Sequence, residues 1–159
     1  MKNIKPEIYF IKYAYPCAHI LRTVRGEVSK KEFSMMEDAA INNKILDKEF
    51  LEKTFFRAFT RISQLAKEMK KDKWDIEVIK EYFRVRHNPV LDASDYPESF
   101  KEQCKVFEAK VKQILGNCEA IVEYENKGLK KRRVKTDYIP DIKVNDKVTI
   151  HWSYIVEKI

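Results

Sequence analysis

Apolar residues recur along nearly the whole chain, and their spacing changes character part-way through. From the start to about residue 115 the repeat is three and four, the mark of helices with one buried face. Pro16 is expected to interrupt the opening segment and Gly26 to end the segment after it. Ser29, with Glu32 three residues on, is a capping box that starts a helix carrying Phe33, Met36, Ala40 and Ile41. From Asp47 the positions Leu51, Phe55, Ala58, Phe59, Ile62, Leu65, Ala66 and Met69 make one wide face of a single long helix. Lys67, Lys70, Lys71 and Lys73 gather at its end, where they complement the dipole. Asp75 caps a short helix with Ile76, Ile79, Tyr82 and Phe83, and His87-Asn88-Pro89 is expected to stop it. A last helix is predicted over 97–115, burying Phe100, Cys104, Phe107, Val111 and Ile114, with Gly116 closing it.

After Gly116 the period falls to two. Cys118, Ala120, Val122 and Tyr124 alternate with polar partners, and Asn126-Lys127-Gly128 signals a hairpin into a very polar strand, 129–138. A third strand, 147–156, puts Val148, Ile150, Trp152, Tyr154 and Val156 on one face and Thr149, His151 and Ser153 on the other. The prediction is an α+β protein: an N-terminal α-helical bundle over 1–116, then a small antiparallel β-module over 117–159.

Composition adds exclusions. With 159 residues, 44% hydrophobic and only three glycines and five prolines, the chain can bury a core and is neither linker-rich nor disordered. Its least polar stretch, 8–21, contains Lys12, Pro16 and His19 and falls short of the roughly 20 residues a membrane span needs. The start, Met1 to Pro6, lacks a signal-peptide apolar region, and three cysteines do not make a disulfide framework. A reduced, soluble, cytoplasmic protein is expected.

The net charge of +7 is mild everywhere except 127–135, where Lys127, Lys130, Lys131, Arg132, Arg133 and Lys135 stand with no acid among them. On an exposed hairpin such a block could contact phosphates, which makes nucleic-acid binding the alternative function. It could equally be a charged edge strand that prevents sheet-to-sheet association, and no interleaved aromatics offer bases a stacking surface. Catalytic motifs are missing: there is no phosphate loop, nucleophile elbow or His-Glu-x-x-His. An enzyme therefore has no positive support. Cys17 and His19 are close in sequence but have no second ligand pair at a zinc spacing.

The segment Ala120-Ile121-Val122-Glu123-Tyr124, then Arg132-Arg133-Val134, then Tyr138-Ile139-Pro140-Asp141 through Val144-Asn145-Asp146 to Ile150-His151, ending Ile155-Val156-Glu157-Lys158-Ile159, resembles the HypC/HupF family of small hydrogenase-assembly chaperones. The resemblance implies an OB-like barrel fragment. It also implies a role for His151, because the family's corresponding histidine and an N-terminal cysteine hold or hand over an iron fragment of the nickel–iron site. Here Met1 is followed by Lys2, the family's first strand has no visible counterpart before Ala120, and Asn145 replaces a turn glycine. Cys118, two residues before the matching segment, is the candidate thiol, although its parity is that of the core face. His151, Cys118 and the neighbouring Trp152 are thus candidates for partner or metal contact. The opening 12–17 and the ending also resemble a family of helical microbial proteins with no assigned function and a HypC-like end. Together these imply a non-enzymatic protein-binding adaptor or chaperone, with metalloenzyme maturation as its setting, a protein partner, no resident cofactor and at most an iron fragment as cargo.

Overall fold

A computed structural model gives the structure of the chain and describes residues 3–159; Met1 and Lys2, part of the expected leaderless start, lie outside the described residues. The protein is α+β, with two compact units that divide between Arg86 and His87.

The first unit is helical. It comprises α1 (Pro6–Thr23), α2 (Lys30–Asn42), α3 (Lys48–Thr54), α4 (Phe56–Met69), α5 (Ile76–Glu81) and a π-helical turn over Tyr82–Arg86. The capping box forms as expected: Ser29 Oγ accepts from the Glu32 N–H, and the Glu32 carboxylate accepts from the Ser29 N–H, each at 3.1 Å. Asp47 and Asp75 likewise cap α3 and α5. The core is aromatic. The Phe10 ring lies 4.8–5.8 Å from the rings of Phe55, Phe59, Trp74 and Phe83, and Tyr13 stacks on Phe83 at 4.9 Å.

Two stop signals and one helix act differently from their sequence reading. Pro16 lies inside α1, which runs through it, and His19 Nδ1 meets the Pro16 carbonyl at 2.7 Å. The single helix expected from Asp47 is two, because Phe55 leaves helical geometry at φ −106°, ψ 43°. His87-Asn88-Pro89 does not end the helical run but opens α6 (His87–Asp92). Proline in a helix clashes with the carbonyl four residues earlier, here Val85, and the wider π turn over 82–86 accommodates it.

The second unit contains α6, α7 (Glu98–Cys104) and a closed barrel of β1 (Val106–Gly116), β2 (Glu119–Glu125), β3 (Leu129–Lys135), β4 (Lys147–His151) and β5 (Tyr154–Lys158), joined in the order β1-β2-β3-β5-β4. All neighbours are antiparallel except β3 and β5. Two corrections concern this unit. The helix expected over 97–115 ends at Cys104, and 106–116 is the first barrel strand; Gly116-Asn117, where the two parts were expected to meet, is the turn between β1 and β2. The strand wins because Phe107, Ala109 and Val111 alternate inward, and bulges after Val111 and Ile114 bend β1 so that it pairs with both β2 and β4. The second correction is to the expected strand 147–156, which is a β4–β5 hairpin reversed at Trp152, whose φ is +53°. The barrel core is Ala109, Val111, Ala120, Val122, Tyr124, Val134, Ile142, Val148, Ile150 and Ile155, with Phe107 packed against it.

Candidate functional site

His151 is the last residue of β4. It lies on the side of the strand away from Val148 and Ile150, as the alternation requires, but it is fully buried rather than solvent-facing. Within its own unit, three elements supply neighbours to His151. Val106, the head of β1, is its strand partner. Cys104, the last residue of α7, stands two positions before Val106, also buried, with its Sγ within 4.8 Å of a His151 ring nitrogen. The His87 ring meets that of His151 edge to face, centres 5.2 Å apart.

Asn88 fixes this arrangement. Its side-chain amide donates to the Val106 carbonyl at 2.7 Å and accepts from the Val106 N–H at 2.8 Å, so it pairs with the start of β1 as another strand would. His87 is thereby held beside the strand whose first residue faces His151. A thiol and two imidazoles from three separate elements converge on one end of the β1–β4 ladder. Thiolate and neutral imidazole both suit borderline metals such as zinc and iron. Around one tetrahedral ion, sulfur and nitrogen ligands stand about 3.6 Å apart, so rotamer-scale movement would bring Cys104 and His151 to bonding distance.

Two other candidates, Cys118 and Trp152, are placed differently from their sequence reading. Cys118 is exposed in the β1–β2 turn at φ +57°, not at the start of a core-facing strand, and the structure does not bring it to His151. Trp152 occupies the β4–β5 turn rather than an apolar row, half-buried, with its ring edge-on to Phe100 at 5.5 Å. Cys17 and His19 sit on α1, and side chains two apart on a helix do not face one another.

The basic block is largely engaged inside its own unit. Arg132 shares the inward face of β3 with Val134, donating to the carbonyls of Trp152 (3.0 Å) and Glu102 (3.1 Å) and to Tyr124 Oη (3.1 Å). Its guanidinium also lies 4.8 Å from the Tyr124 ring centre. Tyr124 Oη donates to Glu102 at 2.8 Å, and Lys130 Nζ donates to the same oxygen at 2.9 Å. The Lys130 and Tyr124 hydrogen bonds hold the Glu102 carboxyl below its ordinary range, while burial first and the Glu102 bond second raise the Tyr124 hydroxyl. Arg133 pairs with Glu119, Lys127 Nζ lies 3.9 Å from Glu98, Lys131 stands opposite Glu123, and Lys135 sits over the Tyr154 ring at 5.4 Å. Acids of β2 and α7 therefore line up with the basic strand, which the sequence showed as an unopposed run.

Sequence reasoning missed Cys104 and His87. In sequence, Cys104 is one more apolar position on a helical stripe, and His87 is part of a stop signal. No helix among the described residues is long and apolar enough to cross a membrane. Comparison with protein-family models, curated proteins and solved structures returned no match.

Proposed function

We propose that this protein is a non-enzymatic adaptor in metallocentre assembly, in which a HypC-like, OB-like barrel holds an iron fragment between Cys104 and His151 for delivery to a protein partner. The observation that carries the reading is the approach of the Cys104 thiol to the His151 ring across the β1–β4 ladder. Three further features support it. The strand order β1-β2-β3-β5-β4 in a closed five-stranded barrel suits an OB-like module. β1 runs directly before the family-like segment, where that family has its first strand, and Cys104 stands two residues ahead of β1, a place comparable to that of the family's N-terminal cysteine. Asn145, where the family turn has glycine, adopts φ +74° and so keeps that turn's left-handed geometry.

Two protein ligands leave coordination positions open for the other ligands of a fragment or for the acceptor protein, as a carrier requires. Both side chains are buried, so loading and release involve local opening of this face. The basic hairpin favours nucleic acid less, because its charges face acids and carbonyls of the same unit.

The test is ferrous iron binding by the full chain under anaerobic, reducing conditions. The wild type and Cys118→Ser are expected to bind one equivalent, and Cys104→Ser and His151→Ala to lose it. Equal binding by all four, or binding by none, would overturn the reading.

A further inference from the structure

We infer that His87 is a third ligand at this site, so that α6, α7 and β4 together present a Cys-His-His set to a borderline divalent cation. The inference rests on the Cys104–His151 reading above and extends it to a residue that the HypC-like segment does not contain.

Two imidazoles bound to one tetrahedral ion through bonds of about 2.0–2.1 Å have ring centres roughly 5 Å apart. The His87 and His151 centres are 5.2 Å apart, with ring planes at 82°. The ring-centre separation is that of two imidazoles sharing one ion.

His87 also has support behind its ring. A metal-bound histidine commonly donates its other ring N–H to a carbonyl or carboxylate, which fixes the tautomer and the ring. His87 Nδ1 lies 3.5 Å from Asn88 Oδ1, at the long limit of a hydrogen bond, and that oxygen is itself anchored by the Val106 N–H. A proton on Nδ1 directed at Asn88 leaves Nε2 as the ligand nitrogen. Asn88 is then a positioning residue, coupling the His87 ring to the same strand end that holds His151.

Three protein ligands with one position open hold a cation firmly while keeping a place for an exchanging group, whereas a closed set of four is the pattern of structural zinc. The donor set of one thiolate and two imidazoles selects zinc or ferrous iron over magnesium or calcium, which prefer oxygen.

The experiment is titration of the full chain, in a Cys17→Ser, Cys118→Ser background that leaves Cys104 as the sole thiol, with cobalt(II) as a spectroscopic probe. Thiolate-to-cobalt charge transfer reports Cys104, and the intensity of the ligand-field bands reports tetrahedral coordination. His87→Ala is expected to keep the charge-transfer band, lose the tetrahedral intensity and weaken binding by at least about tenfold, since even outer-shell partners account for 10–100-fold. His87→Gln serves if the alanine variant does not fold by circular dichroism. Unchanged affinity and bands in the His87 variants, with both lost in Cys104→Ser and His151→Ala, would overturn the third ligand and leave the pair standing. A wild type without charge transfer, or with a band that survives Cys104→Ser, would overturn both.

Discussion

Replacing Arg132 by methionine tests whether the most basic strand is built for the barrel or for an external anion. Methionine keeps much of the apolar stem and removes every donor. The guanidinium makes three hydrogen bonds, two of them to backbone carbonyls on α7 and in the β4–β5 turn, and packs over Tyr124. A hydrogen bond involving a charged group contributes about 1.5–3 kcal/mol net, and an acceptor left unsatisfied carries its own desolvation cost. The bonds share one side chain and do not add, so the expected loss is about 3–4 kcal/mol. Arg132→Lys keeps the charge but not the fork and should lose about half as much. Lys131→Ala, on the outward face, should stay within about 0.5 kcal/mol. The assay is urea unfolding followed by tryptophan fluorescence in a Trp74→Phe background, where Trp152 is the sole tryptophan and reports the barrel unit alone. At a typical slope the expected midpoint shift is roughly 2 M. A cost below about 1 kcal/mol for Arg132→Met, no greater than that of Lys131→Ala, would refute the assignment of this guanidinium to the fold.

Other contacts give further expected outcomes. Lys12 is almost fully buried on α1, and burial pushes its amine down to about 8. The folded state therefore disfavours the proton: the cost is fully present below pH 8, and stability rises as pH climbs toward the ordinary value near 10.5. Lys12→Met should be about 2–3 kcal/mol more stable than wild type at pH 7, an advantage that shrinks by pH 10.5; a difference independent of pH would contradict this. Asn88→Ala breaks both bonds to Val106 and should destabilise the barrel unit by about 2 kcal/mol, read by the same Trp152 signal. Ser29→Ala, read by Trp74 fluorescence in the helical unit, should cost about 1 kcal/mol. Oligonucleotide binding should be weak and vanish by about 200 mM salt; tight binding that survives it and is abolished by alanine at Lys127, Lys130, Lys131 and Arg133 would restore the nucleic-acid reading.

Local chemistry was legible where it depends on neighbours in sequence. Ser29 and Glu32 announce their reciprocal cap, and Asn126-Lys127-Gly128 announces a hairpin whose turn takes φ +54° and +117° at its last two residues. The stretch 104–116 was misread because Cys104, Phe107, Val111 and Ile114 are spaced three and four apart, while Phe107, Ala109 and Val111 are spaced two apart. A short apolar run fits either period, and only the partner strands β2 and β4 decide. Pro16 and Pro89 misled because a helix can contain proline when its surroundings absorb the lost hydrogen bond. The Trp152 reversal carries no glycine to signal it. The candidate site was half legible. His151 stands out by its place in the last apolar segment, but His87 and Cys104 reach it only through the Asn88–Val106 clamp and the β1–β4 register, neither of which has a sequence signature.

The convergence of Cys104 and His151 on one ion is tested most directly by X-ray absorption at the iron or zinc edge of the metal-loaded full chain. The expected spectrum has one sulfur scatterer at about 2.3 Å and nitrogen or oxygen scatterers at about 2.0–2.1 Å, with imidazole outer-shell features. The sulfur contribution should disappear in Cys104→Ser and persist in Cys118→Ser. A first shell of nitrogen and oxygen alone in the wild type, or a sulfur contribution unchanged by Cys104→Ser, would contradict it.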